Sequence, residues 1–122
     1  MAYHILVVED DLDTRDLMEF MLRFGGHRVD VAPGGHEALE LLAVNRYDVI
    51  LCDWHMPWMS GEDLYRRIEQ DWPHLAPRVV FVTAAATLAA PLQARDGGRS
   101  VPVLTKPYTP ERLLQAIADT MA

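Results

Sequence analysis

The residues best suited to chemistry are several carboxylates and one lysine, each placed directly after a short apolar segment. Glu9, Asp10 and Asp11 follow "ILVV", Asp53 follows "DVILC", and Lys106 follows "VPVLT". Clustered acids repel one another and raise one another's pKa, so a bound cation would relieve the strain. Mg²⁺ suits such a cluster, because this hard cation takes oxygen ligands and uses one or two carboxylates while keeping several waters.

A lysine and a hydroxyl facing these acids would complete a set of groups for phosphoryl transfer. Lys106 supplies a fixed positive charge, and Thr83, at the end of the apolar segment "VVFV", supplies a hydrogen-bond donor. Such groups stabilise phosphoryl oxygens during transfer. A carboxylate that the metal alone does not require can act as the nucleophile.

The apolar segments alternate with helix-sized segments along the chain. This order predicts an α/β fold in which a doubly wound, five-stranded parallel sheet is covered on both faces. In such sheets ligands bind at the carboxyl ends of the strands, so residues far apart in sequence should converge at one edge. Between the last two strands, the stretch 84–100 contains a proline and a Gly-Gly pair, which predicts only a short or frayed helix.

Helical periodicity and capping residues predict the first and last helices in most detail. In the first helix, Leu12–Phe24, we expect Leu17, Met21 and Phe24 to face the core. The last helix should start at Thr109, with Pro110 and Glu111 in its first turn.

Length, charge and cysteine content narrow the class of protein. At 122 residues we expect one domain, residues 1–122. A net charge of −7 disfavours direct binding of nucleic acid. The single cysteine, Cys52, suits a reducing compartment. The longest apolar-looking stretch, 79–92, is too short to cross a bilayer, so we expect a cytoplasmic protein with no direct membrane contact.

The chain resembles the response-regulator receiver domains of bacterial two-component signalling over essentially all of its length. The resemblance is carried by "VVEDD", "DWHMPWMSG", "VTA" and "TKPY", each at a strand end. The separations from Asp53 to Thr83 (30 residues) and from Thr83 to Lys106 (23 residues) are also similar to those of the family. Each motif alone is weak, whereas the four in this order are specific. The resemblance implies a flavodoxin-like strand order, 2-1-3-4-5.

The resemblance also implies a role for each site residue. Asp53 would be the phosphoacceptor, attacking a phosphohistidine on a histidine kinase or histidine phosphotransfer protein. Mg²⁺ would be held by Asp10, Asp11, an Asp53 oxygen and the backbone carbonyl of His55. Thr83 and Lys106 would contact the phosphoryl group, and the Lys106–Pro107 peptide would be cis.

Such a domain catalyses only its own phosphorylation and autodephosphorylation, and so is a signalling module rather than an enzyme acting on metabolites. Its first helix would dock the phosphodonor protein, here through Arg15, Met18 and Leu22, although a wide core-facing surface would explain the same residues. A dimer stays open, as does the choice between a stand-alone regulator and the receiver of a hybrid histidine kinase.

Other interpretations remain for several residues. Asp10 and Asp11 could instead cap the first helix, and Trp54, Trp58 and Met59 could shield the site, contact a partner or pack locally. Many receivers carry Tyr or Phe three residues before the lysine, where this chain has Val103, so signal propagation must differ from the usual form. A magnesium-dependent phosphohydrolase and a pseudo-receiver that binds a protein without phosphorylation are the alternative functions.

Overall fold

The computed structural model describes residues 2–84 and 102–122. Its strands are β1 (His4–Val8), β2 (Arg28–Ala32), β3 (Val49–Asp53), β4 (Val79–Thr83) and β5 (Val103–Thr105). Its helices are α1 (Leu12–Phe24), α2 (Gly35–Val44), α3 (Gly61–Asp71) and α4 (Pro110–Met121), and a 3-10 helix, Pro73–Arg78, leads into β4. The predicted frayed helix in the stretch 84–100 lies, except for its first residue, outside the described residues.

The five strands form one parallel sheet in the order β2-β1-β3-β4-β5. This confirms the predicted fold class and strand order. The chain runs outward from β1 to β2, then crosses back to place β3 on the other side of β1. The carboxyl ends of β1 and β3 therefore flank the point at which strand order reverses, which is where ligands bind in open α/β sheets.

Apolar side chains cover the sheet on both faces, because successive residues of a strand point to opposite sides. Ile5 and Val7 of β1 pack with buried residues of α1 and α4. Leu6 and Val8 pack on the other face with buried residues of α2 and α3. Both faces of the sheet are shielded from solvent, which explains why the central strands are continuous apolar runs.

The buried face of α1 differs from the predicted one. Met18 and Leu22 are 2% and 0% exposed, whereas Leu17 and Phe24 are 57% and 84% exposed. The prediction is correct for Met21, which is buried, and wrong for Leu17 and Phe24. The helix carries two apolar stripes with helical spacing, and the contact with the sheet decides which of them is buried.

Side-chain oxygens cap the helices that position the site. The Asp11 carboxylate caps α1 and the Ser60 hydroxyl caps α3. Thr109 accepts a hydrogen bond from the Arg112 backbone N–H at 3.1 Å, and Pro110 occupies the first turn of α4, which confirms the predicted helix start. Across residues 2–84 and 102–122, no helix combines the length and the apolar composition needed to span a membrane.

Candidate functional site

The chemically capable side chains follow four neighbouring strands at the same edge of the sheet. Glu9 and Asp10 come directly after β1, and Asp53 is the last residue of β3. Thr83 ends β4, and Lys106 follows β5. The Lys106 backbone N–H donates to the Thr83 carbonyl at 2.8 Å, which ties the last two positions together.

Three carboxylates lie close together at this edge of the sheet. Oxygens of Glu9, Asp10 and Asp53 all lie within 4.8 Å of one another. Glu9 is buried, with 2% of its surface exposed, while Asp10 is exposed. Burial, together with the hydrogen bond and negative charge of Asp53, raises the pKa of Glu9 to about 8, although Lys106 opposes the shift. Three crowded oxygen donors fit a hard divalent cation.

Asp11, which the sequence predicts as a metal ligand, lies outside this cluster, and Glu9 is the third carboxylate in it. The Asp11 carboxylate accepts hydrogen bonds from the Thr14 backbone N–H at 2.9 Å and the Thr14 hydroxyl at 2.6 Å. These bonds hold the pKa of Asp11 below its usual range, because they stabilise the ionised form. Asp11 is thus the N-cap of α1, the alternative that the sequence had left open.

Lys106 lies between two of the acids. Its Nζ is 3.1 Å from Glu9 Oε1 and 3.8 Å from Asp53 Oδ2. The side chain of Asp53 is 13% exposed, and that of Glu9 only 2%. Lys106 therefore offsets part of the negative charge, and Asp53 is the more accessible of its two partners. The peptide bond between Lys106 and Pro107 is cis.

Two hydrogen bonds hold the loop after Asp53, one to Asp53 itself and one to the neighbouring Trp54. The His55 backbone N–H donates to Asp53 Oδ1 at 3.2 Å, and the His55 side chain is exposed. The Gly61 backbone N–H donates to the Trp54 carbonyl at 3.0 Å. A Cβ at Gly61 would collide with the Asp53 carbonyl oxygen, so this position requires glycine, a residue to which the sequence analysis assigned no role.

The predicted docking residues separate into two groups. Met18 and Leu22 are core residues, so their assignment to a docking surface is wrong. Arg15 is half-buried and donates from Nη1 to the Glu9 carbonyl at 3.2 Å, beside the acid cluster. The apolar residues that α1 does expose are Leu12, Leu17, Phe20 and Phe24.

A groove of about 480 Å³ joins this exposed face of α1 to the site. Leu17 and Phe20 form one wall of the groove, and Lys106 and Tyr108 belong to the other wall. Burial raises the pKa of Tyr108 to about 12, and the nearby charges of Glu9 and Asp53 add to the shift. The groove adjoins the acid cluster through Lys106, whose Nζ is 3.1 Å from Glu9 Oε1. The sequence did not identify Leu17 and Phe20 as exposed groove residues, because both apolar stripes of α1 have helical spacing.

Position 103, where many receivers carry an aromatic residue, lies in β5 beside Phe81 of β4. The Val103 side chain is half-buried and packs against the core cluster that contains Phe81. Thr83 on the neighbouring strand is fully buried. This region therefore contains the threonine of the family pattern and a small aliphatic residue in place of the aromatic ring.

Comparisons with known proteins agree with this geometry. A family model described as the response regulator receiver domain matches residues 5–118. Response regulator MprA of Mycobacterium sp. (strain KMS) is 33% identical over 114 residues, covering 93% of this chain and 48% of the relative. The chain thus spans about half the length of these curated relatives.

Two solved structures extend the similarity to the fold. A response regulator receiver domain protein from Clostridium thermocellum is 31% identical, with a TM-score of 0.84 and coverage of 97% of this chain and 93% of that chain. Chemotaxis protein CheY4 of Vibrio cholerae is 26% identical, with a TM-score of 0.86 and coverage of 98% and 99%. The strand order, the converging site residues and the family match lead to one conclusion: this chain belongs to the receiver domain family of response regulators in two-component signalling.

Proposed function

We propose that this chain is a phosphoacceptor that takes a phosphoryl group from a phosphohistidine onto Asp53. The observation that carries the proposal is the position of the Asp53 carboxylate, which shares one sheet edge with two further acids and lies 3.8 Å from Lys106 Nζ. The phosphodonor would be a histidine kinase or a histidine phosphotransfer protein. We place the reaction in the cytoplasm, and expect neither nucleic acid nor a membrane to be a direct partner.

Asp53 is better suited than Glu9 to act as the nucleophile. Glu9 is buried, and because its pKa is raised it stays protonated to a higher pH than an ordinary carboxyl group. A protonated carboxyl is a poor nucleophile. The more exposed Asp53 has one oxygen held by the His55 N–H and a second one near Lys106. That geometry orients the carboxylate toward an incoming group.

In the proposed transfer, an Asp53 oxygen forms a bond to phosphorus while the bond from phosphorus to the histidine nitrogen breaks. The leaving imidazole keeps that electron pair. Lys106 opposes the negative phosphoryl oxygens, and the Thr83 hydroxyl donates a hydrogen bond to one of them. In the autodephosphorylation step, water attacks the phosphorus of the resulting acyl phosphate, the bond from phosphorus to the Asp53 oxygen breaks, and inorganic phosphate leaves as Asp53 returns to its carboxylate.

Glu9, Asp10 and Asp53 are the side chains that would hold Mg²⁺, together with the His55 backbone carbonyl. The bound cation would neutralise charge on the acids and on the phosphoryl oxygens as the group is transferred. The fit rests on the donor set, since three carboxylate oxygens within 4.8 Å of one another leave an excess of negative charge that Lys106 alone does not balance.

The phosphodonor would dock on the groove between α1 and the segment after β5. Its wall residues Leu17 and Phe20 are 57% and 66% exposed, and Lys106 belongs to both the groove and the acid cluster. A helix packed against α1 would therefore bring its own side chains to the edge that contains Asp53. This surface replaces the one predicted from Met18 and Leu22.

The test of the phosphoacceptor assignment is Asp53→Asn, which keeps the shape of the side chain and removes the anionic nucleophile. With acetyl phosphate and Mg²⁺, the wild-type protein should gain the mass of one phosphoryl group and the variant none. Intact-mass spectrometry measures both, and circular dichroism checks that the variant is folded. Phosphorylation of the folded variant, or a wild type that never gains mass, would refute the proposal.

A further inference from the structure

Trp58 is an aromatic side chain that the fold displays rather than buries. It is 95% exposed, more than any other large apolar residue that the structure describes. Its φ is 71°, a left-handed value that L-residues other than Gly, Asn and Asp rarely adopt. The Met59 backbone N–H donates to the Pro57 carbonyl at 2.8 Å, so Trp58 is the central residue of a strained γ-turn.

The residues around Trp58 hold this turn in place. Met56 is 9% exposed, and the Met59 side chain packs so closely on α2 that a Cβ at Gly35 would lie 2.5 Å from its Sδ. The bond from the Gly61 N–H to the Trp54 carbonyl closes the loop at its base. Trp58 is therefore fixed at the tip of a loop that begins at Asp53, and its indole ring is directed away from the domain.

Two unfavourable features coincide at this residue. A positive φ is unfavourable for a residue with a Cβ, and an exposed indole leaves a large apolar surface in water. With the ring 95% exposed, packing against the residues that the structure describes offsets neither feature. An intermolecular contact would offset both, and tryptophan is one of the residue types enriched at the energetic centres of protein interfaces.

We propose that Trp58 is a specificity-determining contact for the protein that delivers the phosphoryl group. This inference rests on the proposed phosphotransfer function. Trp58 lies five residues after Asp53, so the two Cα atoms are at most about 18 Å apart, and the closed loop brings them nearer. A protein that places a phosphohistidine against Asp53 must cover the surrounding rim of the site. A small phosphodonor such as acetyl phosphate is too small to do so.

The experiment compares a protein donor with a small one. Purified histidine kinases of the source genome are autophosphorylated and incubated with the wild-type chain, and the kinase that transfers fastest serves as the probe. Its transfer rate is divided by the rate of uptake from acetyl phosphate. In Trp58→Gly, which removes the ring and accepts the positive φ, this ratio should fall roughly tenfold. Trp58→Phe should keep most of it.

Val44→Ala is the matched control, because Val44 is an exposed apolar residue at the carboxyl end of α2, far from the site. Its ratio should equal that of the wild type. Any of three results would overturn the Trp58 proposal. They are a wild-type ratio in Trp58→Gly, a lack of transfer from every kinase, and a changed monomer–dimer equilibrium with unchanged transfer. Failure of the wild type to take up phosphate from acetyl phosphate would instead overturn the proposed function.

Discussion

Protonation of Glu9 should compete directly with Mg²⁺ binding. The pKa of Glu9 is raised to about 8 by burial and by the neighbouring Asp53, so at neutral pH most molecules without metal hold a proton on this carboxyl. A cation that binds Glu9, Asp10 and Asp53 must displace that proton. The apparent affinity for Mg²⁺ should therefore rise with pH up to about 8 and level off above it.

The size of this effect follows from the ionised fraction of Glu9. With a pKa of about 8, that fraction is about 3% at pH 6.5 and about three quarters at pH 8.5. If only the ionised form binds, the dissociation constant should decrease roughly 25-fold between these two pH values. An acid with the ordinary value of 4.5 would be fully ionised over this range and would give no change.

Isothermal titration calorimetry measures this dependence. Titrations at pH 6.5, 7.5 and 8.5 give the dissociation constants, and buffers of different ionisation enthalpy give the number of protons released, which should approach one at pH 6.5. Glu9→Gln, which keeps the shape but does not ionise, should bind Mg²⁺ with a constant that is nearly independent of pH. A flat profile in the wild type, or a steep profile that persists in Glu9→Gln, would refute the reasoning.

Two further predictions concern α1. Phe20→Glu places a charge in the exposed groove, so transfer from the phosphodonor kinase should fall roughly tenfold relative to uptake from acetyl phosphate. Met18→Glu instead buries a charge and should unfold the protein, which circular dichroism would detect. Equal loss on both routes in a folded Phe20→Glu would contradict the docking surface. Asp11→Ala removes the N-cap of α1, so it should lower the thermal midpoint of unfolding and leave the Mg²⁺ affinity measured by calorimetry nearly unchanged. Asp10→Ala should weaken Mg²⁺ binding. A similar loss of affinity in both variants would show that Asp11 is a metal ligand.

The sequence predicts the fold well because several independent signals agree. The apolar strands are separated by helix-length segments, and Thr109 with Pro110 marks a helix start by local chemistry alone. Each such signal depends on residues within a few positions of one another. The convergence of Asp53 and Lys106 then follows from the parallel sheet, since every strand ends at the same edge.

The errors arise where a shift of one position changes the answer. The acids Glu9, Asp10 and Asp11 are adjacent in sequence. The first two lie in the acid cluster because β1 ends at Val8, whereas Asp11 is the N-cap of α1. The capping signal was present, since a helix starting at Leu12 makes Asp11 its N-cap. The choice between Leu17 and Met18 on α1 has no comparable local signal, because it depends on how the helix lies on the sheet.

Cys52, the chain's only cysteine, has a practical consequence. It lies in β3 next to Asp53 and is 1% exposed, and burial, with the charges of Asp53 and Glu9, raises the pKa of its thiol. A thiol that is both inaccessible and protonated reacts slowly with alkylating reagents and oxidants. We therefore expect the folded domain to react with such reagents as a cysteine-free protein would. A spectroscopic label can be attached to a cysteine introduced on the surface while the native thiol next to the phosphoacceptor stays in place.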